Sequence, residues 1–97
     1  MIDLVGLDRV PRARLQPAPD YPFAVRSRRI EGMVVVEFLV DESGNVYSTA
    51  VLRATNPGFE EAALRALARW KFESGYKDGR SVRFRMSVPV IFRIDAG

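Results

Sequence analysis

The side chains able to perform acid–base or metal chemistry are few and scattered. The 97-residue chain contains no histidine and no cysteine, so the commonest general base, the commonest metal ligand and any thiolate nucleophile are missing. Six aspartates fall in predicted loops or near the termini, where solvated charge is the ordinary state: Asp3, Asp8, Asp20, Asp41, Asp78 and Asp95. None of these carboxylates pairs with another at a spacing typical of a general acid and base. The sequence therefore predicts a protein that is not an enzyme, with no catalytic residue, no metal site and no cofactor.

The chemistry that remains is backbone hydrogen bonding in the last third of the chain. Apolar and polar residues alternate over residues 82–94, and this period of two predicts a half-buried strand. Its apolar side comprises Val82, Phe84, Met86, Val88, Val90, Phe92 and Ile94. Pro89 lies within this run, and because proline cannot donate to a β-ladder, the strand is predicted at the edge of its sheet. An open edge can bind a further extended segment.

Two earlier strands are predicted to form a hairpin. The β-branched and aromatic run over residues 33–40 predicts a central strand. Turn residues at 41–45, with Gly44 able to adopt positive φ, separate it from strand-like residues 46–53.

Two helices are predicted around this hairpin. The first covers residues 22–29, begins at Pro22 and closes near Gly32, with Phe23 and Ile30 facing inward. The second begins at residues 56–58 and continues to about Trp70. Its apolar face comprises Phe59, Ala63, Ala66, Leu67 and Trp70.

The predicted order of helix, strand, strand, helix and strand gives an α+β fold. Two layers are expected, a three-stranded antiparallel sheet with both helices packed on one face. The first strand is predicted in the middle and the last at an edge, with a right-handed crossover between the second and third strands. Residues 1–18 are predicted to be an extended leader and residues 19–97 the domain itself. Residues 2–7 either occupy a sheet edge or remain solvated.

Composition agrees with one soluble domain. The chain is 47% hydrophobic and 28% charged, with no apolar run long enough to span a bilayer and no signal-peptide pattern at its start. The net charge of +3 suits either acidic partners or ordinary solubility.

Several segments, taken in order and spacing, resemble the TonB carboxy-terminal domain family over residues 19–95. They are Pro19-Asp-Tyr-Pro22, Ile30-Glu-Gly32, Val34-Val-Val-Glu-Phe38, Asp41-Glu-Ser-Gly44, Val51-Leu-Arg53, Phe59-Glu-Glu-Ala-Ala-Leu64 and Arg69-Trp-Lys-Phe-Glu73. The resemblance implies the periplasmic domain of an energy transducer that is tethered to the inner membrane and works with an ExbB/ExbD-type complex. The anchor and proline-rich spacer that it implies fall outside these 97 residues.

The resemblance also implies a partner and a binding site. TonB-dependent outer-membrane transporters of siderophores or cobalamin present a short extended segment, the TonB box, which is added as a strand along the last strand of the sheet. The residues expected to bind the transporter are Arg85, Ser87, Val88, Pro89, Val90, Ile91, Phe92, Arg93 and Ile94, with Pro19, Tyr21 and Pro22 touching the transporter's plug. For Val88, Val90 and Phe92, core side chains that contribute only their backbone are the alternative.

The sequence departs from the family at Ala18, Asp20 and Ala24, so polar contacts that the family makes there are not carried over. Other readings stay open. One is a TonB- or TolA-like periplasmic scaffold of another envelope machine, and another is a basic nucleic-acid-binding domain. Phe38, Phe84 and Phe92 are predicted to face the core, whereas binding of nucleic-acid bases needs aromatic side chains on the exposed face of a sheet. This disfavours nucleic acid as a partner. Homodimers formed by edge pairing or segment exchange are a further expectation.

Overall fold

The apolar run predicted as a central strand forms the middle of the main sheet. The structure is a computed structural model that describes residues 2–94. Its strands are β1 (Ile2–Asp3), β2 (Ala13–Leu15), β3 (Gly32–Val40), β4 (Val46–Ala54), β5 (Lys71–Phe72), β6 (Gly75–Lys77), β7 (Arg80–Val82) and β8 (Phe84–Phe92). Its helices are α1 (Phe23–Arg26) and α2 (Glu60–Leu67), the latter preceded by a 3-10 turn at Pro57–Phe59.

The main sheet has the strand order β1-β8-β3-β4, which confirms the α+β class and the central position of β3. β3 pairs antiparallel with both β4 and β8, as predicted. The prediction of only three antiparallel strands is corrected by β1, which pairs parallel to β8 and makes the sheet mixed. The reason lies in the leader, where Leu4 and Leu7 pack against the core and hold the start of the chain beside β8.

The core lies between the sheet and the helices. Alternate residues of β3 are buried, namely Val34, Val36, Phe38 and Val40. The predicted apolar face of the second helix is confirmed, since Phe59, Ala63, Ala66, Leu67 and Trp70 are all buried. Asn56 begins this helical segment by accepting a hydrogen bond from the Gly58 N–H at 2.8 Å.

The first helix is shorter than predicted and buries a different residue. Phe23 is 82% exposed, so its predicted inward position is wrong, and Val25 is the buried residue of α1. The helix ends at Arg26, and in the turn after it Arg29 adopts φ 57° and the Ile30 N–H donates to the Val25 carbonyl. Gly32 serves close packing instead of capping, because a Cβ there would lie 2.4 Å from Thr55 Oγ1.

The loop between β3 and β4 is fixed by Asp41 and Gly44. The Asp41 carboxylate accepts hydrogen bonds from the N–H groups of Ser43 and Asn45, both at 2.9 Å. Gly44 has φ 87°, and a Cβ at this position would lie 2.0 Å from the Phe72 carbonyl oxygen. Only glycine therefore allows the loop to pack on β5, where the Phe72 N–H donates to the Gly44 carbonyl.

Strands β6 and β7 form a second, unpredicted hairpin. Asp78 and Gly79 make its two-residue turn, both with positive φ, and the Asp8 carboxylate accepts from their N–H groups at 3.2 and 3.3 Å. The Asp-Gly pair is the usual sequence signal for such a turn.

The leader is attached to the domain at several points after β1. The Asp8 N–H donates to the Tyr76 carbonyl, β2 pairs with β5, and the Trp70 indole N–H donates to the Pro17 carbonyl at 2.9 Å. The division of the chain at residue 18 stays a prediction. Within residues 2–94, no helix has the length and apolarity needed to cross a membrane. Asp95 lies outside the described residues.

We predict that Asp41→Asn destabilises the fold in a pH-dependent way. The hydrogen bond from the Asn45 backbone N–H, helped by the one from Ser43 and opposed by partial burial, lowers the pKa of Asp41. A lowered pKa in the folded state stabilises the fold above the unfolded pKa of about 3.9 and ceases to do so as pH falls through the folded value. The unfolding free energies of wild type and variant should therefore differ at pH 7, and the difference should shrink as pH falls below about 4 and through the folded pKa.

Urea denaturation at pH 7 and pH 3 measures this difference. Asp78→Asn is the matched control, because the Asp78 carboxylate makes no hydrogen bond or ion pair within residues 2–94. A pH-independent gap between wild type and Asp41→Asn would contradict the prediction.

Candidate functional site

The candidate site is the outer flank of β8, by which we mean the edge of this strand turned away from β3. Within residues 2–94, the strand found on this flank is β1, and it pairs only with Phe84 and Arg85. No strand of residues 2–94 lies beside residues 86–92 on the outer flank, and the 3-10 turn Leu4–Gly6 that follows β1 also contacts β8. The edge position that Pro89 predicted is confirmed along this stretch.

The β3–β8 register determines which backbone groups face the outer flank. The Met33 N–H donates to Thr55 Oγ1 and the Met33 carbonyl accepts from the Thr55 N–H, both at 2.9 Å, so the Met33 backbone faces the β4 side. Ile91 lies opposite Met33 in an antiparallel pair, and such pairs alternate between those that exchange hydrogen bonds and those that do not. The Ile91 backbone therefore points outward.

The position of Pro89 independently indicates the same orientation of the β8 backbone. Pro89 lies opposite Val35, two residues along from the Met33–Ile91 pair, and the register runs without a shift over all nine pairs. A proline paired with a central strand requires its nitrogen to face away from that strand. Ser87, Pro89 and Ile91 thus turn their backbones outward, whereas their neighbours bond to β3.

The outer flank offers two donors and three acceptors along residues 87–91. The donors are the N–H groups of Ser87 and Ile91, and the acceptors are the carbonyls of Ser87, Pro89 and Ile91. None of these groups takes part in the backbone hydrogen bonds outside the strand ladders of the described chain. This arrangement can accept one additional strand through main-chain hydrogen bonds.

The predicted side-chain contacts divide between the two faces of β8. Val90 and Phe92 are 3% and 2% exposed and their backbones face β3, so they support the strand from within the core. Val88 is half-buried on the same face, next to the similarly half-buried Met86. Met86 was not among the predicted site residues. The sequence signal for it is that Met86 and Val88 lie on the same side of the alternating pattern. An added strand would lie beside these two apolar side chains.

The charged residues of the predicted site lie at the two ends of β8. Arg85 Nε is 3.3 Å from Asp3 Oδ1 in an exposed ion pair that joins β8 to β1. Arg93 is exposed just beyond the other end. The Ile94 N–H donates to Glu31 Oε2 at 2.6 Å, which fixes the chain after β8.

Tyr21 packs behind β8 and not on its outer flank. Its ring meets those of Phe59 and Phe92 edge-on at centroid distances of 5.9 and 5.7 Å, and its hydroxyl donates to the Ile30 carbonyl. Burial, with a smaller contribution from the Glu31 carboxylate, raises the pKa of Tyr21. The Tyr21 ring therefore stabilises the fold.

The two prolines that flank Tyr21 line shallow grooves along α2. Pro19 lies beside Ala62 and Ala66, and Pro22 beside Gly58. The structure does not bring the Pro19–Pro22 segment onto the outer flank of β8, so these residues form a separate surface.

The opposite edge of the sheet, β4, is less suited to strand addition. Its pairing with β3 shifts register twice, near Leu52 and near Ser48, and Ser48 has φ 51°. Bulges of this kind twist an edge away and disfavour further pairing. The regular edge of the sheet is therefore that of β8.

The described residues offer no clear site for stacking of nucleic-acid bases or for a metal ion. Phe38, Phe84 and Phe92 are buried, as predicted from their places on the apolar sides of their strands. None of them therefore forms a stacking platform for nucleic-acid bases. No cluster of acidic side chains within residues 2–94 could hold a metal ion.

This chain is similar to a known protein family and to a solved structure. The model of the family described as "Gram-negative bacterial TonB protein C-terminal" matches residues 17–94. The chain belongs to this family. The TonB proteins of Vibrio cholerae serotype O1 and Salmonella typhimurium are 31% and 35% identical to this TonB-family domain over 92% and 94% of its length.

Those matches cover 37% and 36% of the two relatives, so the chain spans about a third of their length. The solution NMR structure of the Pseudomonas aeruginosa TonB CTD has the same fold, with a TM-score of 0.74 and 26% identity. That alignment covers 90% of this TonB-family domain and 89% of the other chain.

We predict that proline is tolerated at an outward-facing position of β8 and not at an inward-facing one. Ile91→Pro removes an N–H that faces the outer flank and should cost less than about 1 kcal/mol, mostly from weaker cross-strand packing. Met86→Pro removes an N–H that faces β3 and should cost at least about 2 kcal/mol. Urea denaturation measures both, with Ile91→Ala as the control for side-chain loss. Equal destabilisation by the two prolines would mean that the assigned alternation is wrong.

Proposed function

We propose that this domain binds an extended segment of an outer-membrane transporter, the TonB box, by adding it as a strand to the outer flank of β8. The observation that carries the proposal is the row of outward-facing backbone groups at Ser87, Pro89 and Ile91, in a domain of the TonB family. Strand addition at a sheet edge draws most of its affinity from main-chain hydrogen bonds. Such a site accepts segments of differing sequence, which suits a domain that serves several transporters.

The side chains beside the flank refine this binding. Met86 and Val88 supply an apolar strip on the helix side, so a bound segment should place apolar residues at alternate positions. Pro89 offers only an acceptor, so the partner meets no donor at the centre of the site. Arg85 and Arg93 suit acidic residues at the ends of the segment.

The position of β8 in the sheet supports a role in transmitting force. β8 is joined to β3 by nine consecutive residue pairs, and the Phe92 ring stacks on Phe59 with centroids 4.4 Å apart. A pull along a strand added to β8 would act on the hydrogen bonds of the ladder together, not one at a time. The load would then pass into the core through the β3–β8 pair.

The wider role is proposed from the family. We propose that the full protein is tethered to the inner membrane, works in the periplasm with an ExbB/ExbD-type complex, and transmits energy from the proton-motive force to uptake of siderophore- or cobalamin-type nutrients. The proposal includes contact of the Pro19–Pro22 surface with the transporter's plug, and homodimers formed through the β8 edge. It assigns the protein no enzymatic activity.

Titration of isotope-labelled protein with a synthetic TonB-box peptide tests the binding site. We expect the largest amide shifts at Ser87 and Ile91, whose N–H groups gain partners, and smaller shifts at Val88 and Val90, which already bond to β3. A peptide of the same length with proline at alternate positions is the control and should not bind. Shifts confined to β4 or to the Pro19–Pro22 surface would contradict the proposal.

Two variants at one position separate backbone from side-chain contributions. Ile91→Pro should weaken peptide binding about five- to tenfold, because one main-chain hydrogen bond is lost. Ile91→Ala keeps that N–H and should weaken binding less than about threefold. Binding of single-stranded RNA with a steep salt dependence, in place of peptide binding, would favour the nucleic-acid alternative.

A further inference from the structure

We propose that β1 is a displaceable competitor for the transporter segment, holding the first two positions of the outer flank until a sufficiently long partner removes it. The inference rests on the proposed function of the β8 edge. It adds a role for the leader, which would limit the length and register of the segment that binds.

The pairing of β1 places it in the path of a long partner. Ile2 lies opposite Phe84 and Asp3 opposite Arg85, and β1 runs parallel to β8. A segment that pairs with residues 87–91 alone leaves both paired positions of β1 intact. A segment that also pairs with Phe84 and Arg85 must occupy the place of β1.

β1 itself is weakly held. It is two residues long, and its one ion pair, Asp3 with Arg85, has side chains that are 71% and 44% exposed. Exposed pairs of this kind contribute little to stability in water. After β1, Leu4 packs against the core and Val5 is 95% exposed, so the chain beyond the strand is only partly packed.

The leader after β1 is held more firmly. Asp8 bonds to both Tyr76 and the β6–β7 turn, and the Arg12 N–H donates to Glu73 Oε1 while the Arg12 carbonyl accepts from the Glu73 N–H, both at 2.8 Å. β1 can therefore leave the edge while the rest of the leader stays attached. A tethered competitor of this kind remains at high effective concentration and returns when the partner leaves.

A disulfide between β1 and β8 tests the inference. Asp3→Cys combined with Arg85→Cys places two thiols at directly paired positions whose native side chains already meet. Neighbouring strands lie about 4.8 Å apart, within the Cα separation that disulfides span. The chain has no other cysteine, so oxidation locks β1 in place and reduction releases it in the same protein. Asp3→Ser with Arg85→Ser is the control that cannot be locked.

Two TonB-box peptides serve as probes, a nine-residue peptide able to span residues 84–92 and a five-residue peptide able to span residues 87–91. The nine-residue peptide should bind about tenfold more weakly to the oxidised than to the reduced protein, which corresponds to about 1.4 kcal/mol. The five-residue peptide should bind both forms equally. In the wild type, only the longer peptide should shift the amide signals of Ile2 and Asp3.

Failure of this inference and failure of the proposed function give different results. If both peptides shift Ser87 and Ile91 but oxidation leaves the affinity of the longer one unchanged, the role of β1 is overturned and strand addition stands. If neither peptide shifts Ser87 or Ile91 in any form, the proposed function is overturned, and the competition by β1 with it.

Discussion

The ladder between β3 and β8 is the interaction on which the rest of the molecule depends. Its unbroken register, together with the missing N–H of Pro89, determines which main-chain groups of β8 are used inside the sheet and which face outward. Because both groups of one residue point the same way in an antiparallel pair, a single proline is enough to assign the whole strand. The groups available at the binding edge are thus those that β8 does not use in its hydrogen bonds to β3.

The core keeps this edge in position from behind. Phe92 ends β8 between the rings of Tyr21 and Phe59, and the hydroxyl of Tyr21 bonds to the Ile30 carbonyl. Tyr21, which the family resemblance suggested as a contact for the transporter, is therefore part of the support for β8. Contact of Tyr21 with the transporter stays a prediction.

The two edges of the sheet differ in how readily they can pair with a further strand. β4 is bulged near Ser48 and Leu52, which discourages further pairing, whereas β8 is regular and presents outward-facing groups. An edge left open in this way also invites unwanted association, and β1 covers part of it. In the proposed binding mode, the leader covers part of this edge and competes for it.

The local elements follow from nearby residues. The alternating burial of residues 82–94, the stripe that includes Phe59 and Trp70, and the turn closed by Asp41 and Gly44 each depend on short-range spacing, and the structure confirms all three. The predicted strand is shorter than 82–94, because β8 covers Phe84–Phe92 and Val82 belongs to β7. Pro89 likewise predicted an edge strand, because a missing donor is a property of the residue itself.

Only the tertiary structure decided what lies beside those elements. Residues 2–7 are apolar whether they pair or remain in solvent, and their place against β8 depends on Leu4 and Leu7 meeting a core that is assembled from distant residues. Phe23 and Val25 are both apolar, but Val25 is buried and Phe23 is exposed. A sequence determines which residues can form a strand or a helix, but which neighbour covers each one depends on contacts between residues far apart in the chain.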